Sequence, residues 1–337
     1  MELPEIAKAM VAKQKGILAA DESNPTIKKR FDTINVESTL ENRNAYRDLI
    51  LKTDGIEDYI SGVILFDETL RSSSRDGEPF PSILNKKGVL PGIKVDQGVI
   101  ELPGSDGEKL TQGLDGLPKR LKEYYELGAR FTKWRAVIKI GENIPTLRCI
   151  KANAHALALY AAIVQSAKMV PIVEPEVLMD GNHDIHRCSM VTKETLVHVF
   201  FELHQQGVVL EHMLLKPNMV ISGLDCPHQA DVETVAKMTV DCFKQVLPPA
   251  LPGVVFLSGG QSAVLATQHL NAMNAMYKNL PWELSFSYGR ALQEPTLKAW
   301  KGNDENIAEA RKKFYHRARC NGLARSGEYS QNMEQKI

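Results

Sequence analysis

The sequence predicts a single-domain (β/α)8 barrel, and two patterns support this fold class. Eight short apolar runs, each of strand length, alternate with amphipathic stretches from one end of the 337-residue chain to the other. Nearly every run ends in a charged residue, a hydroxyl-bearing residue or a glycine. Functional residues of a barrel lie at the carboxyl ends of its strands, so this order indicates catalysis rather than scaffolding.

The apolar runs have the length and composition of strands that are buried on both faces. An open doubly wound sheet is the structural alternative, but it usually carries a glycine-rich turn after its first strand. This chain has Asp-Glu-Ser-Asn-Pro at that position, which favours the barrel. The predicted strands span residues 16–21, 62–66, 91–96, 131–138, 170–174, 213–216, 254–258 and 284–288.

The remaining stretches predict helices and one flexible segment. Residues 153–165 place Leu157 and Tyr160 at helical spacing, which is typical of a helix packed against a sheet. A helix is also predicted at the N-terminus, within residues 1–15. The segment from about 322 to 337 has little apolar content, so we expect a mobile tail.

Charge and composition argue against several functional classes. The chain has 41 Lys and Arg residues against 41 Asp and Glu residues, so its net charge gives no reason to expect nucleic acid or a membrane as the main partner. No apolar run approaches the roughly 20 residues that cross a bilayer. The five cysteines form no Cys-x-x-Cys pair, and the first residues do not resemble a secretory signal. We therefore expect a cytoplasmic protein.

Lys94, Lys133 and Lys216 each follow or end a buried apolar run. A nucleophilic amine must lose its proton, and a lysine with a pKa near about 10.4 rarely does so at neutral pH. Burial and the like charge of a neighbouring lysine both lower that pKa. Lys216 is the better candidate, because Leu215 precedes it in a buried run and Pro217 ends the strand. The alternative is that each lysine simply extends from a strand end into solvent.

Three carboxylates, Asp21, Glu174 and Glu176, also lie at predicted strand ends. A carboxylate beside paired lysines can move protons on and off a carbinolamine or an enamine. Residues two apart on a strand face the same side, so Glu174 and Glu176 are expected to enter one site, with Pro175 restricting the backbone between them. The alternative is an ordinary ion pair.

Two pairs of segments have the chemistry of phosphate sites. Leu-Ser-Gly-Gly-Gln at 257–261 and Ser-Tyr-Gly-Arg at 287–290 follow the last two strands, where barrels commonly bind phosphate. Glycines allow backbone N–H groups to approach an anion, and an arginine fork matches phosphate oxygens. Two anion sites flanking an amine predict a bisphosphorylated carbonyl substrate. The second set, across the mouth, comprises Lys94, Ser23, Thr26 and Arg30, with Arg135 near the centre.

These residues lie in long motifs that resemble class I fructose-1,6-bisphosphate aldolases over essentially the whole chain. The order and length of the motifs make the resemblance specific. They are GILAADES (16–23), GVILF (62–66), GIKVD (92–96), KWR (133–135), IVEPE (172–176), LLKPNM (214–219), FLSGGQ (256–261) and FSYGRA (286–291).

The resemblance implies a carbon–carbon lyase that needs no metal or other cofactor. It implies reversible cleavage of fructose 1,6-bisphosphate to dihydroxyacetone phosphate and glyceraldehyde 3-phosphate, in glycolysis and gluconeogenesis. Lys216 matches the Schiff-base lysine, and Glu174 matches the proton-transfer residue, tuned by Glu176 and Lys133. Asp21 matches the group that handles the C4 hydroxyl. The family is usually homotetrameric.

The resemblance also divides the phosphate-binding residues between the two ends of the substrate. The C1-phosphate site matches Ser258, Gly259, Gly289 and Arg290. The C6-phosphate end matches Lys94, Ser23 and Thr26, with Arg30 and Arg135 nearby.

Two departures from the family pattern carry expectations of their own. Asn24-Pro25-Thr26 replaces a more usual Thr-Gly-Ser and stiffens the loop at the C6-phosphate end. The tail is shorter than in animal members and ends in Ile337, without the terminal tyrosine associated with preference for the bisphosphate. We therefore expect weaker discrimination between fructose 1,6-bisphosphate and fructose 1-phosphate.

Three alternatives to this function remain open from the residues. His183, His186 and Cys188 are candidates for a small metal site that would polarise a carbonyl in place of the Schiff base. A scaffold role with a protein partner is a second hypothesis, although no interaction module is present. A different Schiff-base aldolase is the third, and two phosphate sites argue against it.

Overall fold

Eight parallel strands close into a barrel in the computed structural model, which describes residues 1–335. With a separate pair, β4 and β5, the described residues contain ten strands. They are β1 (Gly16–Ala20), β2 (Ile60–Leu65), β3 (Leu90–Lys94), β4 (Val99–Glu101), β5 (Lys109–Thr111), β6 (Phe131–Ile138), β7 (Val170–Val177), β8 (Leu214–Leu215), β9 (Gly253–Phe256) and β10 (Glu283–Tyr288). The barrel order is β1-β2-β3-β6-β7-β8-β9-β10, and β10 pairs again with β1. The predicted fold class is confirmed, and each predicted strand overlaps one barrel strand.

Helices surround the barrel between successive strands. They are α1 (Leu3–Met10), α2 (Asn24–Asp32), α3 (Leu40–Leu51), α4 (Asp67–Leu70), α5 (Phe80–Lys86), α6 (Leu117–Glu126), α7 (Leu147–Ser166), α8 (Ile185–Gln205), α9 (Val232–Val246), α10 (Ala263–Met276), α11 (Arg290–Trp300) and α12 (Ile307–Arg325). Short 3-10 helices span Ile56–Asp58, Leu210–His212, Asp304–Asn306 and Gln331–Gln335. None of the helices in residues 1–335 combines the length and apolarity needed to span a membrane.

Hydroxyl and carboxylate residues fix where the long helices begin. Thr146, Asp184, Asp231 and Ser262 each precede a helix and accept a hydrogen bond from a backbone N–H in its first turn. These caps satisfy donors that have no partner inside the helix. The helices therefore start directly after the loops that line the mouth of the barrel.

The barrel interior is filled by apolar side chains, among them Ile17, Ile64, Phe131, Ile172, Leu214 and Val255. A Cβ on Gly92 would lie 2.3 Å from the Phe131 ring, so β3 needs glycine there. Ile6 and Met10 of α1 belong to the same apolar cluster as the inward-facing strand residues. The N-terminal helix therefore packs against the interior core, away from the carboxyl ends of the strands.

The predicted segments at the chain ends match the structure in part. The N-terminal helix spans Leu3–Met10, which lies within the predicted residues 1–15. The tail was expected to begin near residue 322, but α12 continues to Arg325 because its inner face is buried against the barrel. Beyond α12, Tyr329 is 8% exposed, and its hydroxyl donates to Glu334 Oε1 at 2.8 Å. Flexibility of the segment after Arg325 stays a prediction, and residues 336–337 lie outside the described residues.

The strands β4 and β5 form an antiparallel hairpin that the sequence analysis missed. Val99 and Ile100 are exposed, so β4 has no buried apolar residues to produce a strong strand pattern, and β5 is only three residues long.

Candidate active site

A chain of alternating charges crosses the carboxyl ends of four strands. Lys216 Nζ lies 3.1 Å from Glu174 Oε1, and Glu174 Oε2 lies 3.2 Å from Lys133 Nζ. Lys133 Nζ also lies 2.7 Å from Asp21 Oδ2. The side chains of Lys216, Glu174 and Lys133 are 5%, 4% and 5% exposed, so these charges are paired within the protein rather than by water.

Strand register places these groups side by side. Lys133 and Arg135 of β6 pair with Ile172 and Glu174 of β7. Glu174 therefore lies two residues closer to the mouth than the β7 residue that is level with Lys133. Glu174 and Glu176 both line the cavity there, as their spacing of two residues on a strand predicts.

The electrostatics of the site favour ionised partners for Lys133. Burial disfavours the charged form of Asp21, but the ammonium groups of Lys133, Lys216 and Lys94 outweigh it and hold the Asp21 pKa well below its ordinary value. Burial also disfavours the Lys133 ammonium, but Asp21, Glu174 and Asp96 raise the Lys133 pKa above its ordinary value. Lys133 is therefore a charged group that organises carboxylates.

Lys216 has a different environment from Lys133. Among residues 1–335, Glu174 is the one carboxylate that lies within 4.0 Å of its ammonium, whereas Lys133 has carboxylate contacts with Asp21, Asp96 and Glu174. Lys216 therefore has fewer carboxylate partners than Lys133.

One side of the mouth presents backbone and hydroxyl donors. Gly259 and Gly260 follow β9 with positive φ angles of 52° and 72°, which a glycine adopts without strain. Arg290 holds this loop by donating to the Gly260 carbonyl and, at 3.0 Å, to the Gln261 carbonyl. Ser258 lines the cavity beside them.

Ser287 and Gly289 complete this side from the end of β10. The Ser287 hydroxyl is buried and has no hydrogen-bond partner among the described residues, and it lines the same cavity. Ser287 and Gly289 stand before the N-terminus of α11, where N–H groups favour an anion. An oxygen-rich anionic group would satisfy these donors.

The opposite side of the mouth is built around the start of α2. Ser23 and Thr26 hydroxyl oxygens lie 3.1 Å apart there. Lys94 donates to the Asp96 backbone carbonyl at 2.8 Å and to Asp96 Oδ1 at 2.5 Å. Asp96 was not among the predicted site residues, although it ends a predicted strand.

Arg30 and Arg135 lie in this half of the mouth, but both are paired with carboxylates. Arg30 contacts Glu22, and Arg135 contacts Glu176. Glu22 is 7% exposed and also accepts from Arg47 at 2.7 Å. Burial opposes its ionisation, but Arg30 and Arg47 lower the Glu22 pKa below its ordinary value.

Sequence reasoning missed Glu22 because its partners come from distant helices. Gln293 of α11 donates to Glu22 Oε1 at 2.9 Å and to the Ala19 carbonyl at 2.7 Å, while Arg47 belongs to α3. The sequence feature that could have identified Glu22 is its position between Asp21 and Ser23, two predicted site residues at the end of the first strand. Glu22 therefore orients Arg30 from beneath the site.

All predicted site residues line one cavity of about 410 Å³. The structure therefore brings together every candidate catalytic and phosphate-binding residue. The members are Asp21, Ser23, Thr26, Arg30, Lys94, Lys133, Arg135, Glu174, Glu176, Lys216, Ser258, Gly259, Gly289 and Arg290. Further lining residues that were not predicted include Glu22, Met179 and Asp180, and Ser287 of the predicted phosphate segment 287–290 also lines the cavity.

The alternative metal site on the loop after β7 is not assembled in residues 1–335. The Cys188 thiol lies 3.9 Å from the Thr192 hydroxyl and 4.0 Å from the Asn218 side-chain nitrogen. Within the described part of the chain, His183, His186 and Cys188 are not among the groups whose ligand atoms come close enough to share an ion.

Fold and site together define the class of protein. It is a (β/α)8-barrel protein with a buried, lysine-centred site between two donor-rich sides of the barrel mouth. A family model described as fructose-bisphosphate aldolase class-I matches residues 2–337. The chain belongs to the class-I fructose-bisphosphate aldolase family.

Curated relatives cover nearly the whole chain. A probable fructose-bisphosphate aldolase class 1 of Xanthomonas campestris is 56% identical, covering 97% of this chain and 98% of the relative. A fructose-bisphosphate aldolase of Dictyostelium discoideum is 53% identical, covering 98% of this chain and 93% of the relative. A solved Plasmodium falciparum fructose-bisphosphate aldolase, in complex with TRAP and a small-molecule inhibitor, has a TM-score of 0.96 and 50% identity, covering 97% of this chain and 95% of that one.

Proposed function

We propose that Lys216 forms the substrate imine in the reaction of this family, the reversible cleavage of fructose 1,6-bisphosphate into dihydroxyacetone phosphate and glyceraldehyde 3-phosphate. The observation that carries the assignment is the buried contact of 3.1 Å between Lys216 Nζ and Glu174 Oε1. A carboxylate at that distance can take the proton that the amine must lose before it attacks a carbonyl.

Imine formation assigns the first role to Glu174. The Lys216 nitrogen forms a bond to the ketone carbon, and the carbonyl oxygen becomes the hydroxyl of a carbinolamine. Glu174 returns the proton to that hydroxyl, which leaves as water and yields the iminium. Lys133 keeps its charge and orients Glu174 from the other carboxylate oxygen, at 3.2 Å.

Carbon–carbon cleavage assigns the second role to Asp21. Its carboxylate accepts the proton of the C4 hydroxyl, and the electron pair of the C3–C4 bond passes into the iminium, giving an enamine and free glyceraldehyde 3-phosphate. Phosphates in the mouth would offset the ammonium charges that lower the Asp21 pKa, which makes it a stronger base with substrate bound. Protonation at C3 and hydrolysis then release dihydroxyacetone phosphate.

The two sides of the mouth account for the two phosphates. Ser258, Gly259, Gly289 and Arg290 bind the C1-phosphate in this proposal, with Ser287 as an additional donor. Lys94, Ser23 and Thr26 bind the C6-phosphate, with Arg30 and Arg135 nearby. The reacting groups lie between these sets in one cavity, which matches the shape of an extended bisphosphate.

Trapping the imine tests the assignment directly. The protein is incubated with dihydroxyacetone phosphate and EDTA, reduced with borohydride and digested for peptide mass mapping. We expect a mass gain on the peptide carrying Lys216 and none in Lys216→Ala. An adduct on Lys133 would show that Lys133 is the nucleophile. If no adduct forms and cleavage requires a metal, the Schiff-base assignment is wrong.

The chemistry in this proposal uses protein groups alone and needs no metal or other cofactor. We also propose that the chain acts as a homotetramer in the cytoplasm. Met190, Val197 and Phe201 support an oligomer, since they form an exposed apolar stripe along α8. Light scattering of the purified protein would give its mass, and a monomer at micromolar concentration would contradict the tetramer.

A further inference from the structure

Away from the barrel mouth, α12 and the C-terminal segment bring together a histidine, a cysteine and a carboxylate. His316 and Cys320 are one turn apart on α12, and Glu334 comes from the 3-10 helix Gln331–Gln335. One ligand atom from each of these side chains lies within 4.8 Å of the other two. His316 Nε2 is 3.4 Å from Cys320 Sγ and 3.5 Å from Glu334 Oε2.

We propose that His316, Cys320 and Glu334 bind a divalent transition-metal ion, with zinc the best match. In tetrahedral zinc sites the metal lies about 2.3 Å from sulfur and about 2.0–2.1 Å from nitrogen or oxygen, so neighbouring ligand atoms are roughly 3.3–3.6 Å apart. Both short distances from His316 Nε2 fall in that range. Three protein ligands leave the fourth position to water.

The space beside two of these ligands, His316 and Cys320, suits an ion. A cavity of about 90 Å³ is lined by His316, Cys320 and Arg319, with Leu323 and Met333 forming an apolar wall. A single water needs at least about 10–15 Å³, so an ion and its water fit. A thiolate with an imidazole selects zinc and similar metals over magnesium and calcium, which prefer oxygen.

Neighbouring groups already hold the carboxylate in place. Arg317 Nη1 donates to both Glu334 oxygens, at 2.5 and 2.6 Å, and the Tyr329 hydroxyl donates to Oε1 at 2.8 Å. Such outer contacts fix the orientation of a metal ligand. The positive charges of Arg317 and Arg319 oppose a cation, but a carboxylate and a thiolate supply two negative charges against them.

An alternative without metal explains the same contacts as a hydrogen-bonded cluster. Burial raises the pKa of Cys320 to about 11, so its thiol carries a proton that it can donate to His316 when no ion is present. A metal has to displace that proton and create a thiolate. Formation of a metal–thiolate bond therefore separates the two explanations.

Cobalt titration of the full chain provides that test, since a cobalt–thiolate bond gives a charge-transfer absorption band. We expect one cobalt ion per chain with this band in metal-free protein, and its displacement by zinc. Cys320→Ser should lose the band. It should also weaken metal binding at least about tenfold, because losing even a group that only orients a metal ligand weakens the affinity by about 10–100-fold. Cys226→Ser is the matched control, because a serine can keep the bond that Cys226 makes to the His228 carbonyl.

Hydrogen exchange of the unsubstituted protein covers the case in which Cys320→Ser does not fold. Zinc that joins Glu334 to α12 should slow amide exchange across residues 326–335 relative to EDTA-treated protein. Unchanged exchange at saturating zinc, no charge-transfer band, or a band that persists unchanged in Cys320→Ser would each overturn the site.

Discussion

The Lys216 ammonium lies 3.1 Å from one oxygen of the Glu174 carboxylate, and the other oxygen of that carboxylate faces Lys133 at 3.2 Å. Glu174 thus bridges the proposed nucleophile and a permanent cation. Each of its oxygens faces an ammonium group in a buried site, and these two ion pairs restrain its orientation before substrate arrives.

Glu174→Gln should keep the shape of this bridge but remove its ability to move a proton. General acid–base groups contribute about 10²–10⁴-fold, so we expect kcat to fall by that factor with a smaller change in KM. Steady-state cleavage assays measure the change, and the rate of borohydride trapping should fall in parallel. If Glu174→Gln is trapped and turns over at wild-type rates, Glu174 does not transfer the proton.

Lys133→Met should destabilise the folded protein because it leaves buried carboxylates without their cation. Breaking one half of a buried pair costs about 3–5 kcal/mol. Thermal unfolding at neutral pH measures the loss, and Lys139→Met, at an exposed position, is the matched control. Equal melting temperatures for the two variants would contradict the role of Lys133.

The stabilisation from Asp21 should depend on pH in a defined direction. Its folded-state pKa lies below the unfolded value of about 3.9, so its contribution is present above that pH and is lost as the pH falls toward the folded pKa. The difference in melting temperature between wild type and Asp21→Asn should therefore be constant near neutrality and shrink below about pH 4. If the melting-temperature difference grows as the pH falls, the Asp21 pKa is raised in the folded protein and not lowered.

Arg290→Lys should weaken substrate binding although it preserves the charge. Arg290 Nη2 donates to both the Gly260 and Gln261 carbonyls, and the guanidinium has further N–H groups left for an anion. A lysine has three donors on one flexible ammonium, so it cannot anchor the loop that carries Ser258 and Gly259 and still present the same donors to a phosphate. Loss of a charged hydrogen bond of about 1.5–3 kcal/mol corresponds to a rise in KM of roughly 10–150-fold. Inorganic phosphate inhibition should weaken with it, and unaltered KM and inhibition would contradict this anchoring.

Deleting residues 326–337 should lower stability more than it changes substrate preference. Arg317 is 3% exposed and would lose its partner Glu334, while Tyr329 donates to Glu334 instead of reaching the mouth. We expect a loss on the order of 1–3 kcal/mol in unfolding free energy. The ratio of kcat/KM for fructose 1,6-bisphosphate and fructose 1-phosphate should stay constant, with Tyr329→Phe as the control. A large change in this ratio would contradict the expectation.

The sequence predicted the barrel and the residues that line its cavity because both depend on local order. A lysine directly after a buried strand has to lie at the carboxyl end of the barrel, and this rule places Lys216 after β8. Glu174 lies in the second half of β7, so the same reasoning places it near that end. Pairings between side chains are a different matter. The contact of Glu22 with Arg47 depends on how α3 packs, which no periodicity in the sequence specifies.

The same limit applies at the C-terminal end of the chain. Polar composition after residue 322 predicts a mobile tail, but Arg325 still belongs to α12 and Glu334 is held by Arg317. Polar residues that pair with one another over a buried surface have the composition of a loop. Composition alone therefore does not reveal the contacts that this segment makes.

Residues outside the cavity wall also influence the site, because Arg47 and Gln293 contact the buried carboxylate of Glu22. Arg47 and Gln293 never face a substrate, yet both hold the carboxylate that positions Arg30. Anyone seeking altered specificity by mutating lining residues would overlook them. Substitutions in helix α3 or α11 can shift Arg30 at the end of the mouth that we propose binds the C6-phosphate. A mutant library aimed at specificity should therefore include positions that do not contact the substrate.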